Sequence, residues 1–274
     1  MRYSAGSASE SNTNTMNNLI YLDSHAHVFS DDFDEDRMEM IQRAKDKDVI
    51  LLNIMCTSTE EAYRAMEYAE TDPAHIRVSC GIFPTDVNDL TPEKKQEFID
   101  VMKDPRCTCV GEIGLDYYWE KDEAMRAKQR ELFIEQIHLA NELQKPICVH
   151  SRDAMQDTFD IMKEHRCHGL MHSFSGSAEM GREFVKLGYY LSLGGPVTFK
   201  NARHAREVVS SMDVNYLLSE TDSPYMAPEP VRGTRNEPGN IPYIVARMAE
   251  CRNMEVSELA PVIVNNWQRF LEMR

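Results

Sequence analysis

The chain has 274 residues, of which 42% are hydrophobic and 27% charged, an ordinary balance for a globular protein large enough for one sizeable core. Its formal net charge of −15 excludes a general nucleic-acid coat protein, which would be basic, but not an enzyme whose site carries local arginines or bound cations. No apolar run approaches the ~20 residues of a membrane span, and seven cysteines, an odd number, exclude a complete disulfide framework.

Residues 1–18 are rich in Ser, Asn and Thr and lack the apolar centre of a signal peptide, so they read as a flexible tail before a single domain, 19–274. The run Leu19-Ile20-Tyr21-Leu22 predicts a first buried strand, followed by Asp23-Ser24-His25-Ala26-His27. Met38, Ile41 and Ala44 at helical spacing predict a helix over 34–47. Strands are expected at 49–55, 76–82, 108–113, 146–150, 169–172, 189–193 and 214–219. Between them, helices are expected at 59–70, 91–103, 123–143, 153–164, 178–187 and 202–212, and two more at 241–252 and 257–271 finish the chain. Thr91-Pro92 supplies a cap and a first helical residue in one dipeptide. The strands are continuous apolar runs rather than alternating ones, the mark of a parallel sheet buried on both faces. Eight such units predict a closed (β/α)8 TIM barrel, with a doubly wound open sheet as the alternative. A Gly-x-Gly-x-x-Gly motif is missing after the first strand, which weakens a dinucleotide reading. Cys56, Cys80, Cys109 and Cys148 fall inside predicted strands as small buried hydrophobes, and Cys107-Thr108-Cys109 lacks zinc-ribbon spacing; a reducing, cytoplasmic setting is expected.

In a barrel the C-terminal strand ends meet on one face, and that face carries the site. His25 and His27 stand one residue apart, so they point to the same side of their strand. Glu112, His150, His172 and Asp222 are expected at the ends of strands four, five, six and eight. The remaining histidines, His75, His138, His165, His168 and His204, fall in helices or loops and read as solvated or helix-end residues. The convergence predicts a two-metal site: His25, His27 and Asp222 around one ion, His150 and His172 around the other, and Glu112 bridging them. Two ions about 3.5–4 Å apart clamp a phosphoryl group and lower the pKa of a bound water. Asp222 is placed to take the proton of that water. Mixed imidazole and carboxylate donors suit Zn²⁺ or Mn²⁺ as well as Mg²⁺.

At these residues the chain resembles the TatD family of metal-dependent deoxyribonucleases. The resemblance is carried by Asp23-Ser-His-Ala-His27, Gly111-Glu-Ile-Gly-Leu-Asp-Tyr117, Pro146-Ile-Cys-Val-His-Ser-Arg152, His172-Ser-Phe-Ser-Gly176, Gly195-Pro-Val-Thr-Phe-Lys-Asn201, Glu220-Thr-Asp-Ser-Pro-Tyr225 and Arg232-Gly-Thr-Arg-Asn-Glu-Pro238. It implies a TIM barrel of the amidohydrolase superfamily, hydrolysis of DNA phosphodiester bonds from an end, single-stranded or frayed, and the ligand roles already assigned. Ser173 stands where the family often has cysteine, Ser223 where it often has alanine, and Gly239-Asn240 is a small variation near the mouth; none removes a proposed ligand.

Arg152 is a candidate phosphate clamp, or an ion-pair partner of Asp116 or Asp153. Arg232 and Arg235, in a Pro/Gly-rich loop, either contact the phosphate backbone or are simply solvated. Asp116 either fixes a histidine ring or closes a turn. Tyr117, Tyr118, Trp119 and Tyr225 either stack on bases or pack the rim. DNA is the expected partner and a monomer the default. The competing readings are an amidohydrolase, lactonase or small phosphoester hydrolase on the same barrel, and a non-catalytic scaffold. Many relatives of the former class carry a modified lysine where this chain has Glu112, which favours the nuclease branch.

Overall fold

Each of the eight apolar runs becomes a strand, and a computed structural model describes them within residues 19–272; the expected tail at 1–18 lies outside the described residues. The strands are β1 (Tyr21–Ala26), β2 (Val49–Cys56), β3 (Ile76–Cys80), β4 (Cys107–Asp116), β5 (Ile147–Arg152), β6 (Gly169–Met171), β7 (Tyr190–Leu193) and β8 (Leu217–Ser219). They form one sheet in chain order, with every neighbouring pair parallel. The intervening helices are α1 (Arg37–Lys45), α2 (Thr59–Ala69), α3 (Pro92–Lys103), α4 (Glu123–Leu143), α5 (Met155–Glu164), α6 (Ala178–Lys186) and α7 (Arg203–Ser211), and α8 (Ile241–Arg252) and α9 (Val256–Glu272) follow β8. The (β/α)8 barrel is the fold, and the open doubly wound sheet is set aside.

β8 returns to β1 through site residues. The Asp222 N–H donates to the His25 carbonyl at 2.9 Å, the His27 N–H donates to the Ser223 carbonyl at 2.9 Å, and Ala26 bridges Ser223. The barrel's seam therefore sets Asp222 beside the two histidines. Short polar side chains start the helices as their chemistry dictates: Ser58 accepts from the Glu61 N–H, Thr91 from that of Lys94 and Asp122 from that of Met125. The apolar face of each helix covers the strands. Trp267 and Phe270 of α9 and Phe184 of α6 are buried there, and truncating a buried aromatic to alanine costs about 3–5 kcal/mol.

Of the boundaries that differ from the sequence reading, three are notable. β4 continues through Gly114-Leu115-Asp116, so Glu112 lies inside that strand, at an irregularity of the ladder between Val110 and Ile113. β5 extends to Arg152, which is a strand residue and not a loop residue. Val214–Tyr216 forms a turn of 3₁₀ helix, leaving β8 shorter than expected. No helix among the described residues is long and apolar enough to cross a membrane. All seven cysteines are unbridged, five of them buried.

Candidate active site

The six expected ligands come together at the C-terminal mouth of the barrel, in and around a cavity of about 600 Å³. Nε2 of His25 on β1 and Nε2 of His27 just past its end face each other at 3.2 Å, as their spacing predicts. Both look at Asp222 Oδ1, from 3.8 and 3.6 Å, and at Glu112 Oε2, from 3.4 and 3.6 Å. The other oxygen of Glu112, Oε1, is 2.8 Å from His150 Nδ1 and 3.6 Å from His172 Nε2. One carboxylate thus presents one oxygen to each of two histidine pairs.

Close backbone approach makes this possible. At Gly114 the backbone has φ +139° and a Cβ would sit 2.0 Å from the His150 carbonyl oxygen, so any side chain there would push β5, and His150 with it, off β4. His150 is then oriented from behind: its Nε2 is 3.0 Å from Asp116 Oδ2, which turns Nδ1 toward Glu112. The second oxygen of Asp116, Oδ1, accepts from the N–H groups of Tyr118 and Trp119 at 3.0 and 2.9 Å. Asp116 therefore fixes a histidine ring and also closes the turn.

The His25 and His172 rings stack, with centroids 3.5 Å apart and planes at 18°. Beneath them lies Glu220, fully buried, with Oε1 accepting from the Ser173 N–H at 2.8 Å. His172 Nδ1 stands 3.1 Å from the same oxygen, out of line for a hydrogen bond, and His25 Nδ1 and Glu220 Oε2 have no partner.

Charge in the site is strongly shaped by these contacts. Burial opposes ionisation of Glu112, but His172, His150 and His25 outweigh it and hold the carboxyl well below the usual range. Asp222 is lowered in the same way, against burial, by His172, His27 and His25. Burial and His172 push His25 down. Burial also opposes a charge on His172, yet Glu220, Asp222 and Glu112 push it up to about 10. Carboxylates and imidazoles thus hold one another's charges in place, with Glu112 and Asp222 ionised.

The residues present fit divalent ions. Donors bound at about 2.1 Å to one ion stand about 3.0–3.5 Å apart, close to the separations around Glu112. Two groups within one chain bring their donor atoms within 4.8 Å of one another: His25, His27 and Asp222, and Glu112, His150 and His172. A third grouping, His25, His172 and Glu220, shares two of these histidines and lies on the far, buried side of their rings.

The rim is aromatic and exposed. Trp119 and Tyr225, 68% and 58% exposed, line the mouth with Phe83 and Met226. Arg152 also lines it. Its guanidinium lies 3.8 Å over the Tyr118 ring and 5.7 Å from that of Trp119, and among the described residues it pairs with neither Asp116 nor Asp153. Tyr117 points elsewhere, its hydroxyl donating to Asp157 at 2.7 Å.

Arg232 and Arg235 do not line this mouth. Arg235 grips both oxygens of Asp36 at 2.7 Å, donates to the Asp32 carbonyl and lies over Phe33, so its charge holds the loop to the region before α1. Arg232 lies over Phe199, 4.2 Å from its centroid, at a neighbouring cavity. Sequence reasoning left Glu220 and Phe83 without a role. The signal for Glu220 was its place two residues before Asp222; that for Phe83 was its place just past β3 on the same face, where its ring centroid lies 4.9 Å from that of His150.

The family model described as TatD related DNase matches residues 22–272. The chain belongs to this family. It is 39% identical to the uncharacterized metal-dependent hydrolase YabD of Bacillus subtilis, over 93% of this chain and all of that one. It is 35% identical to the uncharacterized metal-dependent hydrolase MJ1582 of Methanocaldococcus jannaschii, over 94% of this chain and 100% of the relative. Among solved structures it resembles the TatD homologue YJJV of Escherichia coli, with a TM-score of 0.85 and 27% identity, covering 92% of this chain and 98% of that one. Organophosphorus hydrolase from Deinococcus radiodurans shares the barrel alone, at a TM-score of 0.66 and 13% identity. This TatD-family chain is a metal-dependent hydrolase.

Proposed function

We propose that the chain hydrolyses phosphodiester bonds of DNA, removing nucleotides from a single-stranded or frayed end, with two divalent ions (Mg²⁺, Mn²⁺ or Zn²⁺) held by His25, His27, Glu112, His150, His172 and Asp222. The observation that carries this is the split of Glu112, one oxygen toward His25 and His27 and the other toward His150 and His172. When bound, such a pair of ions supplies Lewis acidity at the phosphoryl oxygens and lowers the pKa of water.

The chain's own groups do the rest. Asp222, held ionised by the surrounding histidines, accepts a proton from the attacking water. As the new P–O bond forms, the bond to the leaving oxygen breaks, and that oxygen takes a proton back from Asp222. Arg152 reaches the phosphoryl group from the rim, its stacking on Tyr118 leaving N–H groups for bidentate contact. Trp119 and Tyr225 offer ring faces to the terminal base. A mouth of about 600 Å³ has room for a terminal nucleotide, which suits end-first entry of a single strand. The family's description, TatD related DNase, supports the substrate class. One chain supplies every group of the site, so a monomer suffices, and seven unbridged cysteines suit the reducing cytoplasm.

The test is hydrolysis of end-labelled single-stranded DNA by metal-stripped protein, with Mg²⁺, Mn²⁺ or Zn²⁺ restored, beside Asp222→Asn. Stepwise, ion-dependent shortening that falls about 10³-fold in the variant is expected. DNA left intact under every ion, with both ions bound, defeats the reading and turns attention to small esters and amides.

A further inference from the structure

A second cavity, of about 430 Å³, opens on the same face of the barrel beside the metal mouth. It is built by the segments that follow β6, β7 and β8, and Met226 lines both cavities. Ser173, next in the chain after His172, lines it as well. The two spaces are therefore neighbours, one carrying the candidate metal ligands and the other carrying none.

Its chemistry is opposite to that of the mouth. Lys200, His204 and Arg232 line it, and no carboxylate does, in a chain whose net charge is −15. Lys200 and His204 are exposed and make no ion pair among the described residues. Arg232 has one distant acidic neighbour, Glu229 at 3.8 Å, and both side chains are largely exposed, so that pair holds the guanidinium weakly. The floor is apolar, and the Phe199 ring with the Arg232 guanidinium 4.2 Å from its centroid forms a flat shelf.

The shelf is also rigid. A Cβ on Gly195 would lie 1.9 Å from the Met226 carbonyl oxygen, so the segments after β7 and β8 are pressed together at this point. Thr198 Oγ1 donates to the Gly195 carbonyl at 2.7 Å and accepts from the Glu229 N–H at 2.9 Å, joining the same segments a second time. Arg206 donates to the Val197 carbonyl from α7. A preformed surface of this kind loses little on ligand binding.

We infer that this cavity holds the nucleotide next to the one being removed, its base against Phe199 and its phosphate between Lys200 and Arg232. The inference rests on the phosphodiesterase reading and deepens it: the mouth performs the chemistry on any phosphodiester it admits, and the second cavity selects a chain with a further nucleotide. A flat apolar floor bordered by cations fits a base and a phosphate together, as single-strand binding surfaces do.

Two measurements separate this inference from the reading beneath it. The first is hydrolysis of bis(p-nitrophenyl) phosphate, which needs only the mouth. The second is binding of a 5′-fluorescein-labelled thymidine trinucleotide to the full chain in EDTA, followed by anisotropy across a salt series. The variants are Lys200→Ala, at an exposed position that leaves the fold intact, and Ala205→Trp, which fills the cavity from α7. Ala205→Trp weakens trinucleotide binding about tenfold. Lys200→Ala weakens it less and makes the slope of log Kd against log salt shallower by about 0.7, one phosphate contact on a single strand. Turnover of the small diester stays within about twofold of the original in both variants, because nothing in that substrate reaches the cavity. Trinucleotide binding unchanged in both variants overturns the inference and leaves the phosphodiesterase reading intact; an equal loss for trinucleotide and small diester also overturns the inference. An original chain that hydrolyses no phosphodiester under any ion defeats the reading, and the inference falls with it.

Discussion

The floor and the rim of the mouth are built by different rules. On the floor, His25, His27, Glu112 and His172 are buried and seated at the strand ends of the barrel, and His150 beside them is held from behind by Asp116. On the rim, Trp119 and Tyr225 are mostly exposed, and Arg152 rests on an aromatic face with no carboxylate. Fixed geometry suits groups that act on atoms moving by fractions of an ångström. Exposed, loosely held faces suit a substrate whose bases vary and whose backbone does not. On the proposed reading chemistry is thus separated from recognition across one mouth, and changes to the floor are expected in kcat and those to the rim in KM.

The strongest way to break that comparison is Glu112→Ala. It removes both oxygens shared by the two histidine pairs, so a loss of at least about 10⁴-fold in kcat is expected, together with at least one bound ion, by activity assay and elemental analysis. Normal turnover in the folded variant would refute the bridging role. Asp116→Asn comes next. The amide cannot hold His150 as the carboxylate does, so metal affinity should fall about 10–100-fold while the barrel stays folded, as read by calorimetry and circular dichroism.

Proton competition sharpens the floor further. His172 is pushed up to about 10 before any ion binds, because Glu220, Asp222 and Glu112 overcome the cost of burial. Its Nε2 must lose that proton before it can ligate. Affinity should therefore rise with pH, by up to about tenfold per unit below that value, and fall as the medium is acidified. Titrations in buffers of different ionisation enthalpy would count the protons released, and a pH-independent affinity would contradict the assignment. The smallest effect belongs to the rim. Trp119→Ala should raise KM for single-stranded DNA about five- to tenfold with little change in kcat, the cost of one lost stacking face. A change confined to kcat would erase the distinction between rim and floor.

Most of the barrel could be read from the chain because continuous apolar runs alternate with helical spacing eight times. His25 and His27 were legible for a local reason, since period two decides their common side. Asp222 followed from strand order, although the hydrogen bonds that seat it against His25 join residues far apart in sequence. Glu112 was expected at the end of its strand and lies inside it. The apolar run stops at Ile113, but the ladder continues through Gly114, whose missing side chain lets β4 and β5 meet. The arginines were the hardest to read. Arg152 and Arg235 look alike as residues near a strand end or in a polar loop, and only the fold brings Asp36 against Arg235 and leaves Arg152 over Tyr118. Residue type fixes a side chain's charge, while a distant partner fixes its availability.

The stacked rings of His25 and His172 have a consequence for traffic. They come from β1 and from the residue just after β6, strands that are not neighbours in the sheet, and they meet across the bore. Below them Ser24, Asn53, Ser79, Cys148 and Ser192 are fully buried, so the interior is filled as in other barrels of this kind. The imidazole pair caps this filled interior on the side of the mouth. On the proposed reading, ions, water, strand end and released nucleotide would all use the mouth above that cap, so a chelator would compete with the product for the same opening.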